Sequence, residues 1–139
     1  MISRYLNHFR QSPGSVVFEP AVDANLTKID AELTARNFSA IPGEYRNFLK
    51  LNDGLIFNGI EFYGSIPHYR EERNYTFPNL ITVNEYYLNY DYFIRKLVIG
   101  RISENILLYD GAENVYSVTD RINPVSYTHL RAHETCADL

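Results

Sequence analysis

The sequence predicts an α+β domain, with N-terminal helices packed on a mostly antiparallel sheet. Three observations carry this. Apolar residues repeat at helical spacing between Val22 and Leu51. The pattern changes to short alternating or continuous apolar runs after Gly54. Helices followed by a meander of strands place the helices over one sheet.

The elements follow in order. Ile2, Tyr5, Leu6 and Phe9 suggest a short helix over residues 1–11, closed by Ser12-Pro13-Gly14. Val16, Val17 and Phe18 form an apolar run stopped by Pro20. Val22, Leu26, Ile29 and Leu33 lie on one helical stripe, with Asp23 as the expected cap and Asn37 or Ser39 as the end. A further helix starts near Pro42, because proline's missing N–H is tolerated in a first turn. Tyr45, Phe48, Leu49 and Leu51 are its expected buried stripe, and Asn52-Asp53-Gly54 stops it, with Gly54 suited to a left-handed cap.

Residues 56–63 read as strand around a turn or bulge at Asn58-Gly59. Residues 66–78 read as an exposed loop around Arg70-Glu71-Glu72-Arg73, and Leu80 to Phe93 is ambiguous between helix and strand. Leu97–Ile102, Ile106–Tyr109 and Val115–Val118 complete the meander.

Composition narrows the function classes. The chain has 139 residues, 45% hydrophobic and 22% charged, which suits one folded domain and argues against disorder. No apolar run reaches the roughly 18 residues of a membrane-spanning helix. Residues 1–10 do not read as a signal peptide, so the expected compartment is cytoplasmic. A net charge of −4 argues against sequence-independent nucleic-acid binding.

The last residues stand apart. Pro124 to Thr135 resemble one reading frame of a sequencing-library adapter, so the expected domain is 1–123, with 124–139 a non-native tail. Without that tail the net charge is −3 and no cysteine remains, since Cys136 is the only one. His129, His133 and Cys136 have a spacing that would align three zinc ligands on a helix, but a coincidence within the tail is the preferred reading. No metal or cofactor is expected.

Catalytic motifs are missing: there is no nucleophile elbow, no phosphate loop and no dinucleotide fingerprint. Ser65 and His68 invite a nucleophile–base pairing, but no orienting carboxylate is implied, and His8 and His68 read as solvated. Asp53, Glu61, Glu71, Glu72, Glu85 and Asp91 are scattered, and most are expected on the solvated face. The densest feature is Glu85-Tyr86-Tyr87-Leu88-Asn89-Tyr90-Asp91-Tyr92-Phe93: five aromatics and two acids, with no Lys or Arg. Tyrosine offers contact area at low entropic cost, and acids steer toward a basic partner. An aromatic stripe is also commonly core, so about half of these rings are expected inside. The candidate partner-binding residues are Glu71, Glu72, Tyr86, Tyr87, Tyr90, Asp91 and Tyr92.

Ile41-Pro42-Gly43-Glu44-Tyr45-Arg46-Asn47-Phe48-Leu49, followed by Asn52-Asp53-Gly54, resembles the signature of the SUKH superfamily, the Smi/Knr-like proteins. Phe57-Asn58-Gly59-Ile60-Glu61-Phe62-Tyr63-Gly64 and Leu97-Val98-Ile99-Gly100-Arg101 resemble its YrhA-like branch, and the resemblance spans roughly residues 22–122. Asp53, between the Asn and the Gly, departs from the pattern. The resemblance implies a non-enzymatic α+β binding module, foremost an immunity protein that neutralises a cognate bacterial toxin by occlusion. A regulatory scaffold is the alternative, and a hydrolase ranks below both. It also implies a closing C-terminal helix, which is expected to be lost because the match stops near Ile122.

Overall fold

The computed structural model describes residues 15–120 and 126–131. In chain order these form β1 (Val16–Val17), α1 (Asp23–Ala35), α2 (Gly43–Leu51), β2 (Leu55–Phe57), β3 (Ile60–Phe62), β4 (His68–Arg70), β5 (Tyr75–Phe77), α3 (Leu80–Glu85), β6 (Lys96–Ile102), β7 (Asn105–Asp110), β8 (Val115–Asp120) and β9 (Ser126–Arg131). The fold class is α+β, as expected. Seven strands form one sheet in the order β1-β2-β3-β6-β7-β8-β9, with every pair antiparallel, and β4–β5 is a separate hairpin. The helix expected over residues 1–11 lies outside the described residues.

α1 buries Leu26, Ile29 and Leu33. Val22 differs from expectation: it occupies the cap position in extended backbone and is exposed, and no side chain caps the helix. Asp23 is instead the first helical residue, where its charge still suits the positive end of the helix. Asn37 takes φ 66°, the left-handed turn beyond the helix end. α2 buries Tyr45, Phe48 and Leu49, while Leu51 turns outward. Pro42 sits at the cap rather than inside the first turn. Helical backbone stops at Asn52, which is extended, and Gly54 takes φ 118° two residues later. α2 docks on the sheet through Phe48 and Tyr45, whose ring centroids lie 5.5 and 6.4 Å from that of Phe62 in β3.

β2 and β3 are joined by a two-residue turn in which Asn58 and Gly59 have φ 49° and 84°. Both being left-handed matches the twist of a tight hairpin. The stretch 66–78 is not a loop. It forms β4 and β5 around a 3₁₀ turn at Glu71–Arg73, with Asn74 at φ 46°. Leu80 to Phe93 resolves into α3 followed by turns and a 3₁₀ segment at Asp91–Phe93.

β6 is fully buried from Leu97 to Gly100 and contains a register shift between Val98 and Gly100. Beyond the end of β3, the edge of β6 meets a side chain rather than a strand. Asn84 of α3, with no exposed surface, donates from Nδ2 to Val98 O at 2.9 Å and accepts from Val98 N at 2.8 Å. Its amide thus substitutes for a neighbouring peptide group. Tyr45 Oη serves the carbonyls of Tyr63 and Ile99 at the same place. Buried backbone groups left without such partners would each cost on the order of 1–3 kcal/mol.

Strand pairing continues past residue 123, into the stretch read as an adapter-derived tail. Ser126–Arg131 pairs with β8 from Thr119↔Ser126 to Val115↔Arg131, with one slip between Val118 and Thr119. A segment containing Tyr, Thr and Leu tolerates extended backbone, and the outer edge of β8 offers a row of N–H and C=O groups. His129 therefore lies on a strand, so the helical zinc spacing does not form there. His133, Cys136 and the expected closing helix fall outside the described residues. Among the described residues, no helix is long and apolar enough to cross a membrane.

Replacing Asn84 with Leu keeps the number and branching of side-chain heavy atoms and removes both bonds to Val98. It is expected to cost about 3 kcal/mol, read as a lower urea midpoint, whereas Thr82→Ala on the exposed side of α3 should stay within about 0.5 kcal/mol of the parent.

Candidate functional site

Two features qualify: a buried polar cluster around Asp53, and an exposed aromatic platform after α3.

Most of the six acids are exposed, as expected, and Asp53 is the exception at 1% exposed. It follows α2, where Asp53 N donates to Glu19 O at 2.7 Å and Asn52 Nδ2 to Gly54 O at 3.0 Å. This holds the carboxylate toward the loop after β3. Oδ1 accepts from Ser65 N at 2.7 Å and Ser65 Oγ at 2.8 Å. Oδ2 accepts from Ile66 N at 3.2 Å and lies 2.8 Å from His68 Nε2, which also sits 3.0 Å from Asp53 O. Facing two acceptors, Nε2 carries a hydrogen. Gly64 permits the approach: a β-carbon there would fall 2.1 Å from Asp53 O.

A carboxylate therefore does accompany Ser65 and His68, contrary to expectation. The order is nevertheless wrong for nucleophilic chemistry. The serine hydroxyl donates to the carboxylate, and the imidazole sits on the carboxylate's other oxygen. Activation of a serine needs the base on its hydroxyl. The arrangement instead clasps the loop to the end of α2. Nor is His68 solvated: its ring stacks on Phe18 at 4.3 Å and 10°. Phe18 stacks on Phe77, and Phe77 on Tyr63, each at 5.4 Å.

At the far end of this stack Tyr63 Oη donates to Glu61 Oε1 at 3.0 Å, and Glu61 faces Arg101 across β3 and β6 at 3.4 Å. Burial, then the Glu61 carboxylate, raises the Tyr63 phenol well above the ordinary tyrosine range. Burial also raises Tyr75 and Tyr109. Among the described residues, no group of three His, Cys, Asp or Glu side chains is placed to hold a metal ion.

The second feature lies at 86–96. Tyr87 and Phe93 are buried with ring centroids 4.3 Å apart, so Tyr87 leaves the set of candidate contact residues. It faces inward because the chain turns directly after α3 and drives this ring into the core. Tyr86 and Tyr90 are 72% and 56% exposed, and both contact Tyr87 edge-on, at 5.0 and 6.4 Å. Tyr90 also meets Phe93 at 6.4 Å. Two outward rings thus stand on two inward ones, with Leu88 and Ile94 exposed beside them. Tyr92 is half-buried, with Lys96 Nζ 4.4 Å from its ring centroid. Asp91 is exposed, and Glu85 pairs with Arg36 at 3.5 Å.

Glu71 and Glu72 are exposed but belong to another element, the tip of β4–β5. Arg70 and Arg73 share that tip, and Arg70 pairs with Glu72 at 3.1 Å. The Glu72 backbone N–H, then Arg70, holds the Glu72 carboxyl below its ordinary range. The tip is therefore charge-balanced.

Sequence reasoning missed the Asp53 clasp, the ring stack and Asn84. The only available signal for the clasp was a helix-stopping Asp followed, eleven residues later, by Gly64-Ser65.

Asp53→Asn puts an amide donor among donors and is expected to cost about 3 kcal/mol in the denaturant midpoint; Ser65→Ala should cost about 1 kcal/mol. Raised phenols stabilise the fold at and below the ordinary tyrosine range, and that stability is lost as pH rises through their folded values. Melting temperature should accordingly fall above about pH 10, and less steeply in Tyr63→Phe. Comparison with known proteins adds no assignment: no family model and no curated protein matches this chain.

Proposed function

We propose that the chain is a non-enzymatic protein-binding module that docks through the platform of Tyr86 and Tyr90. Its partner is a cognate protein toxin with a basic surface, neutralised by occlusion. One observation carries the docking face: two well-exposed tyrosines braced by the buried rings of Tyr87 and Phe93. Exposed aromatics held in place by packing lose little entropy on binding, and such residues dominate binding energy at interfaces. The Asp53 cluster supports the same reading, because its polar groups bond one another. The resemblance to Smi/Knr-like proteins supplies the partner class. Asp91 and the net charge of −4 suit a basic partner. Glu71 and Glu72 act only at long range, through a field that decays over roughly 8–10 Å.

The test is co-expression with the product of the gene that flanks this one, together with an affinity measurement on the purified pair. Rescue of growth and a stable complex are expected. The double variant Tyr86→Ala, Tyr90→Ala should weaken binding at least about 30-fold while leaving the melting temperature within a few degrees. Full affinity in that variant removes the platform; absence of any complex removes the toxin reading.

A further inference from the structure

A second surface lies on the same side of the molecule. Lys28, Glu32 and Arg36 are spaced at i, i+4 and i+8, so they share one stripe of α1 and its C-terminal cap. Near the cap, Arg36 pairs with Glu85 at the end of α3, next to Tyr86. Near the middle, α1 faces the loop of Ser65, Ile66 and Pro67 and the α3 cap Asn79 across a cavity of about 160 Å³. α1 and α3 therefore run side by side in the same direction. The cavity opens at one end of α3 and the tyrosine platform at the other, about 9 Å apart along a six-residue helix.

The cavity holds about five water volumes, room for one long side chain and too little for a nucleotide. Its wall is part apolar, from Ile29, Ile66 and Pro67, and Ile66 is 40% exposed. Its lining also holds Glu32, which is half-buried; among the described residues its carboxylate forms no ion pair or hydrogen bond. Lys28, one turn away and exposed, does not pair with it. The loop wall is preformed: Ser65 and Ile66 are held by Asp53, and Asn79 Nδ2 donates to Ser65 O at 3.3 Å.

We infer that this cavity is a socket for an arginine or lysine side chain of the protein partner. Its methylene stem lies on Ile29, Ile66 and Pro67, and its cation reaches the Glu32 carboxylate. A partly apolar cavity with an unpaired carboxylate in its lining matches a side chain with an aliphatic stem and a charged tip. The inference deepens the protein-binding reading and rests on it for the partner, but the socket can be tested alone.

The probe is N-acetyl-arginine methylamide, titrated into ¹⁵N-labelled protein, with N-acetyl-aspartate methylamide as the opposite charge. Amide shifts confined to residues 28–32 and 65–66 are expected with the arginine probe at millimolar concentration. Glu32→Gln should weaken that binding about fivefold or more. Lys28→Gln should strengthen it about twofold, because a like charge leaves the rim. Scattered shifts, preference for the aspartate probe, or the opposite response of the two variants overturns the socket. The variant lacking both platform tyrosines should still bind the probe. If the probe fails while that variant still loses the partner, the socket alone falls; if the probe binds and the partner is retained, the platform falls.

Discussion

A buried carboxylate must find its hydrogen bonds inside the protein, and Asp53 finds four of them in one loop. Ser65 supplies two, Ile66 one and His68 one. Much of the structure depends on that requirement. It fixes the exit from α2, since Asp53 and Gly54 also bond Glu19 and Phe18 through the backbone. It fixes the loop after β3, whose Gly64 pairs with Asn79 and accepts from Leu80 N. Through Asn79, which accepts from Thr82 N, it reaches the start of α3. Through His68 it anchors one end of a ring stack that closes on Tyr63. Removing one partner from such a buried charge costs more than the intact cluster contributes to net stability, because the charge is then left uncompensated.

Periodicity made the two long helices and the β6–β8 meander legible, because each has a run of apolar residues at one clear spacing. The Asn58-Gly59 turn was legible because both residues tolerate left-handed backbone. The β4–β5 hairpin was not: its strands have three residues each and alternate charged with aromatic side chains, which reads equally well as loop. α3 was ambiguous because Leu80, Ile81 and Val83 pack as well on a strand as on a helix. Asn84 decides it, through a tertiary contact with Val98 that no local pattern announces. β9 lies in the stretch that resembles an adapter. That resemblance concerns the origin of the sequence and says nothing of its backbone, whereas a sheet edge selects for extended backbone.

The candidate surfaces divide in the same way. The tyrosine-rich run stood out in the sequence, but which rings face out depends on the turn after α3. Tyr86 and Tyr90 emerge while Tyr87 and Phe93 sink. The clasp and the socket join residues from the exit of α2, the segment 64–68, α1 and the α3 cap, so their geometry exists only once the chain has folded.

The amide of Asn84, standing in for a strand neighbour, also ties the short helix to the most deeply buried strand of the sheet. α3 cannot lift or slide without stripping Val98 of both backbone partners. Whatever lands on the outer surface of that helix therefore meets a rigid body, with little reorganisation preceding or following contact. For such a body, encounter frequency is governed by diffusion and charge, and differences among related partners appear in how long each stays bound.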